Sequence, residues 1–162
     1  MRESGGVRPW TKLLLCSTSF GAVALASLAG CTKTDAELRR EDRTVIELIV
    51  AEDVRASEAM AEADAAARAG DVAKAIDVLD HRAGPAIEAG LRTAEAAAPR
   101  SAWGRARREA FASILGERRA ELGPYREAVR SGDAEKLVAA VEAQARIERR
   151  AVAAVEGNRA GP

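Results

Sequence analysis

The chain's single histidine, His81, and its two cysteines, Cys16 and Cys31, bound the chemistry it can host. His81 falls two residues after Leu79, about 200° round a helix, near Asp77 and Glu88, which puts it on an exposed face. A di-iron bundle requires two Glu-x-x-His elements, and covalent haem requires Cys-x-x-Cys-His. Neither occurs. A b-type haem needs histidine and methionine on facing core positions; Met60 is on an apolar stripe and His81 is not. No phosphate-binding glycine loop, Gly-x-Ser-x-Gly elbow or metalloprotease motif appears. The expectation is a non-enzyme with no catalytic residues, no metal and no cofactor.

Glu52 and Arg118 are charges where apolar residues are expected. Glu52 stands one heptad after Val45 and one before Ala59, and Arg118 stands between Ile114 and Leu122. Each is at a similar distance into its helix, so the two could form a core ion pair. The alternative is that both long side chains tilt outward and reach water.

The most specific segment is Leu28-Ala29-Gly30-Cys31. It closes an apolar run from Leu13 to Ala29, behind a basic head of Arg2, Arg8 and Lys12. Charged start, apolar middle and small residues at the cut are the order of a secretory signal. With a cysteine directly after the small residues, the segment resembles a bacterial lipobox. The resemblance implies cleavage before Cys31 and a covalent lipid on its sulfur. Leu28, Ala29 and Gly30 would then be the cleavage motif, and residues 1–30 a signal peptide. The product would be a lipoprotein, anchored to a membrane in the bacterial cell envelope and facing the periplasm or exterior. Thr32 is not the aspartate that retains lipoproteins at the inner membrane of Gram-negative bacteria. Outer-membrane placement is therefore favoured, if an outer membrane exists.

Processing would remove three of the 25 basic and one of the 25 acidic residues, leaving a net charge near −2. Such a balance excludes a polyanion binder by charge alone, so no nucleic-acid partner is expected. It would also leave no free thiol, so stability must come from packing.

These residues are positioned by helices. Alanine, glutamate and arginine dominate, and β-branched and aromatic residues are few. The fold class read from the pattern is all-α: an antiparallel up-down bundle of about four helices after a cleaved signal segment. Thr34 and Glu37 form a capping box. Residues 31–43 would be the anchored N-terminus and a charged stalk, 44–156 the bundle, and 157–162 a flexible tail. The helices are expected over 34–69, 71–98, 101–131 and 133–156. The second presents Val72, Ile76, Leu79, Ala83, Ile87 and Leu91 on one face. The fourth carries an inward stripe of Leu137, Val138, Val141, Ala145, Val152 and Val155. Gly84-Pro85 predicts a kink or break near Ala83, and Gly123-Pro124 a similar one. Arg-x-Gly-Asp-x-x-Lys recurs 62 residues apart, at Arg68 and Arg130. It reads as a duplicated hairpin or simply as a common helix–helix turn.

Two readings remain for the loop at Arg100, Trp103 and Arg105. It could face the membrane, because tryptophan and arginine suit a lipid interface. Or Trp103 covers the end of the bundle. For the whole chain the first expectation is a scaffold or accessory protein acting through contact with an envelope protein. The alternative is a small-molecule-binding or envelope-stress-sensing bundle, with a ligand near Pro85 and Pro124.

Overall fold

The computed structural model describes residues 33–156. The lipobox residues Leu28, Ala29, Gly30 and Cys31, the signal segment and the tail lie outside the described residues. The described residues are helical throughout, apart from short connections.

Helix α1 (Asp35–Arg68) opens on the capping box: Glu37 N–H donates to the Thr34 hydroxyl, and the Glu37 carboxylate accepts from Thr34 N–H. The chain turns at Gly70, whose φ of 79° costs a glycine nothing. Asp71 then caps α2 (Val72–Val78) by accepting from Lys74 N–H. A π-helical turn, Leu79–Ala83, joins α2 to α3 (Gly84–Ala96) as one rod. Helix α4 (Ala102–Ser131) and helix α5 (Ala134–Glu156) complete the fold. The α4–α5 turn repeats the first: Gly132 takes a φ of 64°, and Asp133 accepts from Glu135 and Lys136 N–H. The recurring Gly-Asp is thus the same turn used twice.

The two Gly-Pro steps behave differently. Pro85 lacks the N–H of a regular helix, and the rod widens just before it: Gly84 N–H reaches back five residues to the Leu79 carbonyl. At Pro124, α4 runs on without a break. The carbonyl that Pro124 leaves without a donor belongs to Ala120, and both residues are exposed, so water can serve it.

Two apolar clusters fill the interior. Ile46, Ile49, Ile87, Phe111, Ile114 and Leu115 centre one. Met60, Val78, Leu79, Tyr125 and Val129 centre the other. Alanines on α1 let the second rod approach closely. At Gly90 even a Cβ would meet Leu115 Cδ1 at 2.8 Å and Glu52 Cβ at 3.1 Å.

The sequence pattern also fails at Asp42 and on α5. Asp42, expected in a solvated stalk, is buried, so packing begins before residue 44. The face of α5 is also rotated from the expected one. Ala140, Ala143, Ile147 and Ala151 are buried, whereas Val138, Val141, Val152 and Val155 are 37–59% exposed. Alanines let α5 lie close against α4, which outweighs burying the larger valines. Helix α5 packs on α4 and meets α1 only along a loose seam.

Candidate functional site

The inward stripe of α1 is spaced by alternating threes and fours: Asp42, Ile46, Ile49, Asp53, Ala56, Met60, Ala63. That spacing keeps one face inward over many turns. It carries two carboxylates into the core.

Asp53 is 4% exposed and faces Arg118, which is 1% exposed. Arg118 Nε donates to Asp53 Oδ1 at 2.8 Å, and Nη2 lies 3.4 Å from Oδ2. Nη2 also donates to Glu148 Oε2 on α5, at 2.9 Å. The same Oε2 accepts from the Ser57 hydroxyl of α1 at 2.7 Å. One arginine on α4 thus binds α1 and α5 together, at the junction of the two apolar clusters. Burial alone would lower the Arg118 pKa, but its bonds to Asp53 and then to Glu148 outweigh it and hold the pKa above the ordinary value. Burial would raise the Glu148 pKa; the bonds from Arg118 and Ser57 and the arginine's charge bring it below the usual range.

The expected partner of Arg118 is not the observed one. Glu52 instead accepts from Arg55 Nη1 at 2.7 Å, one turn along its own helix. Counting whole heptads from Val45 leads to Glu52. The buried stripe runs through Ile46, and its register places Asp53 inward and Glu52 on the flank beside Gly90.

Asp42 makes a second long-range tie. Its carboxylate accepts from Arg100 N–H (2.9 Å), Ser101 N–H (2.7 Å) and the Ser101 hydroxyl (2.5 Å). Ser101 in turn caps α4 by accepting from Gly104 N–H at 2.9 Å. Burial pushes the Asp42 pKa up, but the bonds from Ser101 and Arg100 win and depress it. Beside this tie, Arg100 pairs with Glu41 at 3.7 Å, and Arg105 Nη1 donates to the Arg100 carbonyl at 2.6 Å. Trp103 is half-buried and packs against the Ile46–Phe111 cluster. His81 is exposed, with Nδ1 3.1 Å from Asp77 Oδ1.

The α1–α5 seam holds an open pocket of about 220 Å³, lined in part by Arg118. Met60, Val141 and Ala145 supply apolar wall, with the Tyr125 ring. Ser57, Asp64 and Glu148 supply polar groups. Burial raises the Tyr125 pKa, and its hydroxyl donates to Asp64 Oδ1 at 3.3 Å. Both amide atoms of Gln144 are buried, and neither meets a hydrogen-bonding group of the protein. The expected ligand position near Pro85 is an open depression of about 380 Å³, lined by Glu52, Arg55, Glu58, Arg82 and Pro85. Among the described residues no helix is long and apolar enough to cross a membrane, and no three metal-ligating side chains cluster.

Asp53, Glu148, Asp42 and Gln144 were not singled out by sequence pattern. The alternating spacing from Ile46 through Ala63 is the signal that locates both aspartates. Gln144 carries one too: it is the only glutamine in the chain.

No family model, curated protein or solved structure matches the chain.

Proposed function

We propose that the chain is a lipid-anchored component of a bacterial cell envelope that works without catalysis, by binding another envelope protein. The anchor is the lipid expected on Cys31, and Thr32 favours an outer membrane where one exists. The observation that carries the contact is on α5. Val138, Val141, Val152 and Val155 are exposed within 18 residues of one helix. Exposed apolar residues grouped on one face mark interaction sites more often than singly scattered ones. The stripe is bordered by Glu142 and Arg149, both exposed. An amphipathic helix with an apolar face and charges of both signs at its margin is the matching partner.

A photoreactive residue at position 145, in the middle of the stripe, tests this in intact envelopes. A discrete adduct is expected from that position and not from position 121 on α4. It should vanish in a Val141→Lys, Val152→Lys variant whose circular dichroism is unchanged. It should also vanish when Cys31→Ser removes the anchor. Equal adducts in all of these would overturn the reading.

A further inference from the structure

The exposed valines of α5 are placed with a symmetry of their own. Val138, Val141, Val152 and Val155 are spaced three, eleven and three residues apart, so the pattern reads the same in both directions about a midpoint between Arg146 and Ile147. An antiparallel second α5 centred on that midpoint sets Val138 against Val155 and Val141 against Val152, each twice. At the centre Ala145 meets Glu148, whose carboxylate is already turned to Arg118 and Ser57. The charges beside the stripe match in the same register. Glu142 and Arg149 are seven residues apart and so share one flank. At 1.5 Å per residue, Glu142 of one helix falls about 3 Å along the axis from Arg149 of the other. Among the described residues neither Glu142 nor Arg149 has a salt-bridge partner. A parallel pair would instead set Glu148 beside Glu148.

We infer that the stripe is covered by a second copy of this chain, in an antiparallel, twofold-symmetric pair of α5 helices. The inference rests on the reading of the stripe as the contact surface and names its occupant. Four valines per copy make a small interface for a dimer in free solution; anchoring both copies in one membrane raises their effective concentration. Helix α5 runs antiparallel to α1, with Val155 near Arg43 and Val138 near Arg68. The two α1 N-termini then lie at opposite ends of the pair. Both anchors reach one membrane when the helices lie along its surface.

Cysteine cross-linking of the full chain in native membranes tests the register, with the unsubstituted chain as the blank. Val138→Cys and Val155→Cys copies carrying different tags are expressed together and treated with a short thiol cross-linker. A mixed dimer is expected. Neither variant should link to itself, because like positions lie about 25 Å apart along the axis at 1.5 Å per residue. Introduced in both copies, Glu142→Arg or Arg149→Glu should each lower the yield about tenfold, as two rim attractions become repulsions. The double exchange should restore it. Both residues are exposed, so circular dichroism should be unchanged in all three variants. Like-with-like cross-links would overturn the pairing. So would single exchanges without effect, or a double exchange without recovery. The photoadduct at position 145 separates this inference from the reading beneath it. An adduct of twice the chain's mass supports both. An adduct of another mass with no mixed cross-link overturns the second copy and leaves the stripe as a contact. No adduct and no cross-link overturns both.

Discussion

Arg118 concentrates much of the energetic risk in this chain. Removing one partner of a buried pair strands the other charge, at a cost of about 3–5 kcal/mol. Arg118→Met should therefore cost about that much, because Asp53 loses its counter-charge in the core. The combination Asp53→Leu with Arg118→Met should recover most of the loss. Glu52→Gln, at a half-buried flank position whose partner Arg55 is exposed, should cost about 1 kcal/mol at most. Urea melts of the three variants check this, and equal losses from Glu52→Gln and Arg118→Met would contradict the geometry. The contrast also marks what sequence could and could not reveal. A buried charge on α4 was legible, because Arg118 interrupts an apolar stripe. Its partner was not, because Glu52 and Asp53 are adjacent carboxylates and only the register of the stripe separates them. Gln144 was illegible for a different reason: a polar residue flanking a core face looks the same whether its amide meets water or is closed off from it.

At the scale of helices, close approach explains which glycines matter. Gly90→Ala places a methyl against Leu115 and Glu52, so α3 must move away from α1 and α4; a loss of about 1–3 kcal/mol is expected. Gly116, inside α4, has open space where a Cβ would stand. Gly116→Ala should stabilise by about 0.5–1 kcal/mol through helix propensity. Thermal melts of the two variants should move in opposite directions. Helix boundaries were readable because caps and left-handed glycines are local chemistry: Thr34 with Glu37, Gly70 with Asp71, Gly132 with Asp133. The inward face of α5 was not. Its core contacts are alanines, and hydrophobicity alone ranks the neighbouring valines above them. The packing of α5 against α4 decided that choice, and no single segment encodes it.

Over the whole molecule, two carboxylates tie distant segments and both have depressed pKa values, Asp42 across α1 and α4 and Glu148 across α5 and α4. A group held below its unfolded pKa contributes stability that is complete above that value, about 4 for carboxylates, and is lost as pH falls through the folded pKa. The melting temperature should therefore drop steeply below about pH 4. Asp42→Asn should flatten that drop while lowering stability at pH 7. A wild-type melting temperature that is level from pH 7 to pH 3 would contradict it.

Of the three helices that Arg118 joins, α5 buries the fewest large side chains. Beside the partly buried Leu137 and Ala154, its fully buried side chains are three alanines and Ile147. At about 0.8 kcal/mol per methyl and about 1.5–3 for an isoleucine, their burial contributes about 4–5 kcal/mol, below the stability typical of a whole domain. The helix can then lift away while α1, the second rod and α4 remain packed. Amide hydrogens of α5 should exchange with solvent as one group, sooner than those of Ile49 or Leu115. Each such excursion removes Glu148 from Arg118 and leaves Asp53 as its counter-charge. The arginine that joins three helices at rest becomes accessible at intervals set by the loosest of them.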